Sequence, residues 1–130
     1  MRTLLKSHFL WPALLGCAVF AASSRPVVSG LGFEGGDKVA HFAVYGLLGT
    51  LLSRAWGPGW RGALLALFTA SLFGATDEWH QSFVPGRTAD VMDWLADTSG
   101  AALAVGLYFL WRPYRELLER GTSAGGGPAA

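Results

Sequence analysis

The chain has 130 residues, 52% of them hydrophobic and only 15% charged, with a formal net charge of +1. The length suits one domain, but soluble domains carry roughly 25% charged residues, so an ordinary soluble globule is a poor fit. The small net charge and the lack of a continuous basic patch argue against nucleic acid as a partner, and the single Cys17 excludes an intramolecular disulfide or a cysteine-rich metal site.

Four uncharged runs organise the chain: Phe9–Ser24, Phe42–Ser53, Gly62–Thr76 and Thr98–Trp111. Each is shorter than the roughly 20 residues that cross a bilayer. Each becomes long enough by taking in polar residues at its ends. The predicted spans are 5–24, 38–55, 61–80 and 92–112. The expected fold class is therefore an all-α integral membrane protein, a bundle of about four transmembrane helices. Basic residues favour cytoplasmic loops. With both termini cytoplasmic, seven basic residues lie inside and three, Arg25, Lys38 and Arg87, lie outside.

The first segment, residues 1–24, reads as a transmembrane helix or signal anchor. A cleaved signal peptide is the competing identity, since Arg2 and Lys6 precede an apolar core and Val19-Phe20-Ala21 resembles a weak cleavage site. The second helix opens with GGDKVAHFAVYG (35–46), where Asp37 is the expected N-cap. Lys38 opposes the helix dipole there and needs an acid from a neighbouring helix. Asp37, His41 and Tyr45 recur every four residues and form a polar seam. Gly46, Gly49 and the Gly100/Ala104 pair offer close helix contact.

The third helix ends in DEWHQSFVPGR (77–87). Two acids at the negative end of a helix dipole require compensation. Gln81 shares a face with Glu78, and His80 shares one with Asp77. Pro85-Gly86 suits the centre of a type II turn, which is expected to bring Arg87 back over the carboxylates. Asp90, Asp93 and Asp97 then follow on one face of the fourth helix. Asp90 is a plausible N-cap. Asp97 lies two turns in, where an acid is expected to face the bundle interior with a partner. Pro113–Arg120 suggests a short helix along the inner surface. Residues 113–130 form a cytoplasmic tail, and its Gly/Ala-rich end is expected to be disordered. These features predict an outward-facing pocket between helices two, three and four, with Lys38 and Arg87 as binders of an anionic group.

The combined pattern DKxxHFxxYxxL (37–48), DExxQxFVPGR (77–87) and DxxDxxADTxG (90–100) resembles the VanZ-like family of small bacterial membrane proteins. The resemblance covers about residues 37–106, within a membrane domain placed at 37–112. It implies a multi-pass protein of the bacterial cytoplasmic membrane and a link to teicoplanin resistance. The positions matching the family pattern are Asp37, Lys38, His41, Tyr45, Glu78, Gln81, Arg87, Asp93 and Gly100. Asp97 departs from members that carry Asn there, which makes the pocket more anionic. The expected function is binding of a cell-envelope or glycopeptide-type ligand, with these residues and Asp97 as the pocket. The bilayer is the expected partner, and oligomerisation stays open. A second function class is an outer-leaflet enzyme using Glu78 or Asp93 as acid or base, with His41 or His80 relaying a proton or holding a metal. No nucleophile or metal-hydrolase motif supports it, and no cofactor or metal is assigned from the motifs. The same polar seam is also compatible with a structural helical partner in a membrane complex or with a narrow transport pathway.

Overall fold

A computed structural model describes residues 2–26 and 35–120. It contains five helices and, among the described residues, no strand: α1 (Arg2–Ser23), α2 (Gly36–Trp56), α3 (Trp60–Gln81), α4 (Val91–Leu110) and α5 (Arg112–Glu119). The first four match the expected spans to within a few residues. At about 1.5 Å per residue each is roughly 30 Å long. Among the described residues no helix is long and apolar enough to cross a membrane. The Gly/Ala-rich end of the tail lies outside the described residues.

Local chemistry sets the boundaries. Gly35 adopts φ +80° and Gly36 begins α2. The helix therefore starts ahead of Asp37, which is a first-turn acid and not the expected N-cap. Glycine enters the left-handed region without steric cost, so the start needs no side-chain cap. The α3–α4 turn is the expected type II: the Arg87 amide donates to the Val84 carbonyl at 3.0 Å, and Gly86 has φ +80°. Asp90 caps α4, its carboxylate accepting from the Met92 amide at 2.8 Å. The helix expected near Pro113–Arg120 is α5, entered through a proline in its first turn.

The most extensive helix contact joins α2 and α4. A Cβ on Gly100 would collide with the Phe42 carbonyl oxygen, and one on Gly49 would lie 3.0 Å from Ala101. The two backbones touch because these positions lack side chains. The apolar core is built from Tyr45, Leu48, Leu52, Ala66, Ala70, Ala101 and Val105. Helix α1 packs more loosely at the edge and leaves an apolar groove of about 590 Å³ against α2 and α3. The outer surface carries large apolar side chains, among them Trp11, Leu64, Phe68 and Leu103. Asp77, Glu78, Asp93 and Asp97 are buried instead.

Candidate functional site

The polar residues gather at one end of the bundle, where α1 and α3 end and α2 and α4 begin. They form two groups. The first lies between α2, α3 and α4. Lys38 donates to Asp90 at 2.9 Å and to Asp93 at 2.8 Å. Asp37, more than half exposed, stands 3.7 Å from the same ammonium. The sequence expectation that Lys38 meets acids of a neighbouring helix is met. Asp90 precedes α4, and its carboxyl is held below its ordinary value chiefly by the Lys38 hydrogen bond, with help from the Met92 amide.

One turn deeper, His41 Nδ1 lies 2.8 Å from Oδ1 of Asp97, which is fully buried. The His41 Nε2 faces Asp93 Oδ2 at 3.9 Å. Glu78 completes this group. Its Oε2 accepts from the Asp90 amide at 2.8 Å, and Oε1 receives a long contact from the Gln81 amide at 3.4 Å. Ligand atoms of His41, Glu78 and Asp93 all lie within 4.8 Å of one another, a spread that suits a metal ion. A side chain at Gly74 would meet Asp97 Oδ2 at 2.9 Å, so the glycine on α3 makes room for that carboxylate.

The second group lies between α1, α2 and α3. Asp77 Oδ2 accepts from the Ser23 hydroxyl at 2.8 Å and from the Gln81 amide at 3.0 Å. Arg87 donates to Gln81 Oε1 at 3.1 Å and to the Arg25 carbonyl at 2.8 Å. These residues border a cavity of about 200 Å³, which His41 and Tyr45 also line. Asp77 Oδ1 and the Tyr45 hydroxyl are buried and make no hydrogen bond among the described residues. Buried polar atoms without partners are uncommon and costly.

This geometry differs from several expectations. The cavity is bounded by α1, α2 and α3, not by α2, α3 and α4. The glycine contacts draw α2 and α4 too close to leave a void, so the room lies beside the looser α1. Arg87 does not return over the carboxylates and makes no ion pair with Glu78; its guanidinium turns to Gln81 and to the carbonyl of Arg25 after α1. Lys38 is ion-paired with Asp90 and Asp93, whereas Arg87 meets only neutral acceptors among the described residues. His80 does not pair with Asp77 either: it stacks on Phe20 at 4.3 Å and meets the Ser24 hydroxyl at 3.0 Å.

Of the expected pocket residues, His41, Tyr45, Gln81 and Arg87 reach the cavity. Lys38, Glu78, Asp93 and Asp97 form the adjoining cluster, and Asp37 stays at its exposed rim. Two polar cavity residues, Asp77 and Ser23, are absent from the set of positions matched to the family pattern. The signal for Asp77 is its i,i+4 relation to Gln81, which puts both on one helix face.

A family model described as VanZ/LLP1 matches residues 4–112. The chain belongs to the VanZ/LLP1 family. The match extends beyond the motif-bearing segment to take in α1, the helix that supplies Ser23 and one wall of the cavity. No curated protein and no solved structure matches the chain.

Proposed function

We propose that this VanZ/LLP1 chain is a multi-pass protein of the bacterial cytoplasmic membrane that binds an amphipathic cell-envelope ligand at its outward-facing polar end. The membrane reading rests on family membership, on four helices of roughly 30 Å, and on the distribution of polarity. The acids within the predicted spans are Asp77, Glu78, Asp93 and Asp97, and all are buried, while large apolar side chains face outward. Intramembrane acids facing the bundle interior are the usual arrangement. The bias of basic residues supports cytoplasmic termini.

The observation that carries the ligand reading is that two residues lining one small cavity, Asp77 and Tyr45, each hold a buried oxygen with no hydrogen-bond partner among the described residues. A carboxylate oxygen accepts and a phenol can donate or accept. Together they suit a head group rich in hydroxyl, amide or ammonium donors. Arg87 at the edge of the cavity meets only neutral acceptors among the described residues, so its charge is not cancelled by a carboxylate and suits an anionic group on the same ligand. Phe73 lines the apolar groove and packs on Tyr45 at 6.1 Å, so groove and cavity are neighbours. A ligand with a hydrocarbon chain and a sugar–peptide head, such as a lipid-linked peptidoglycan precursor, matches both.

The test is binding by native mass spectrometry of the protein in nanodiscs, with such a precursor and with teicoplanin in separate arms. The wild type is expected to retain the precursor. Asp77→Asn should weaken retention at least about tenfold, or 1.4 kcal/mol, without losing helical content. Retention of teicoplanin alone would move the ligand to the drug, and equal retention by wild type and Asp77→Asn would defeat the reading.

A further inference from the structure

We propose that His41, Glu78 and Asp93 form a binding site for a divalent first-row transition ion of the Zn²⁺ or Mn²⁺ class, with Asp97 as the carboxylate that orients the histidine. This goes beyond ligand binding in the cavity and does not depend on it. The first support is the orientation of His41. Its Nδ1 is held by Asp97 at 2.8 Å, which leaves Nε2 to face Asp93 Oδ2 at 3.9 Å. That distance is too long for a hydrogen bond, and among the described residues Nε2 has no other partner. A metal-ligating histidine characteristically gives its second nitrogen to a carboxylate, which fixes the ring and raises its basicity. The Asp97–His41 pair has that form.

The second support is charge. Glu78, Asp93 and Asp97 are exposed by only 6%, 9% and 0%. Lys38 reaches Asp93, whereas Glu78 is met by neutral donors, the Asp90 amide and the Gln81 side chain. Asp97 Oδ2 has no hydrogen-bond partner among the described residues. Buried carboxylates are stable when paired or bound to metal. A divalent ion among His41, Glu78 and Asp93 supplies the missing positive charge.

The third support is placement. The three ligands come from three packed helices, and their atoms lie within 4.8 Å of one another. Ligand atoms sharing an ion at about 2.1 Å each lie roughly 3–4 Å apart, so rotamer adjustments close the site. One imidazole and two carboxylates suit Zn²⁺ or Mn²⁺; Ca²⁺ needs more oxygens, and no thiolate is present for a softer ion.

The test uses tag-free full-length protein, stripped with a chelator, then dialysed against Zn²⁺ or Mn²⁺ and assayed for bound metal. The wild type is expected to take up one of these ions stoichiometrically, with a raised melting temperature. His41→Gln and Asp93→Asn should lose that uptake. Asp97→Asn keeps an acceptor for Nδ1 but removes the charge, and is expected to lower affinity roughly 10–100-fold. The proposal falls if stripped wild type that is still helical binds neither ion, or if the His41 and Asp93 variants bind as much as wild type. Should those two variants lose their helical signal, Asp97→Asn decides alone, and an unchanged affinity overturns the site.

Discussion

Asp97 and Asp77 are both buried, and among the described residues each leaves one carboxylate oxygen unpartnered. Their surroundings differ. Asp97 is held by a titratable ring about one turn from Gly100, where the α2 and α4 backbones touch. Asp77 is held by the neutral Ser23 and Gln81, beside a cavity and the loosely packed α1. The difference divides the polar end into a rigid side and an adaptable side. The rigid side holds charge at fixed positions, as an ion site requires. The adaptable side has room and unsatisfied acceptors, as a ligand site requires.

The largest expected effect tests whether the rigid side is rigid. Gly100→Ala drives a Cβ into the Phe42 carbonyl oxygen, a backbone atom that cannot step aside. Overpacking costs typically 1–3 kcal/mol, and this contact belongs at or above about 3 kcal/mol. Gly16→Ala on α1 meets the Phe73 ring at 3.7 Å, ordinary contact. It should be neutral or stabilising by up to about 1 kcal/mol through helix propensity. Thermal melts followed by circular dichroism in detergent compare the two. Equal effects would erase the distinction between the sides.

A smaller effect compares the two acids directly in metal-free protein. Asp97→Ala removes the carboxylate that holds His41 and is expected to cost about 1.5–3 kcal/mol, the range for a hydrogen bond to a charged group. Asp77→Ala strands only neutral donors that cavity water can satisfy, and should cost about 0.5–1.5 kcal/mol. Chemical denaturation of both variants checks the order. A costlier Asp77→Ala would mean that the cavity side is the more tightly determined.

The two sides are not equally legible in the sequence. The α2–α4 seam follows from helical periodicity: His41 and Tyr45 recur at four, Asp93 and Asp97 recur at four, and a lysine in a first turn needs an acid. Each is a relation within one helix, or a charge with a single sensible partner. The Asp77 group depends on how α1 docks against α3, and one apolar helix carries no register that fixes a neighbour's angle. Ser23 therefore reads as the polar end of a hydrophobic run. The place of Arg87 is hidden for a related reason. The turn that carries it is legible, yet a long side chain after a turn can reach either neighbour, and a helix-end carbonyl competes with a carboxylate already satisfied by an amide. The cavity's position depends on packing distance, which the glycines signal only weakly.

The smallest expected effect concerns the exposed rim of the rigid side. Lys38 and the Met92 amide lower the Asp90 carboxyl below its ordinary value of 3.8. A group whose folded value is depressed adds stability that is fully present above the unfolded value and is lost as pH falls through the folded one, because the unfolded chain takes up the proton first. Wild type should therefore lose a small increment of stability as pH falls below 3.8. Asp90→Asn keeps a capping side chain but removes the charge, so its melting temperature should fall less steeply over that window while lying slightly lower at neutral pH. Because the pair is exposed, added salt should shrink the difference between the two proteins. Parallel acid profiles for both would show that the Lys38–Asp90 contact carries no net stabilisation, leaving Asp93, the buried partner, as the acid that holds Lys38 in place.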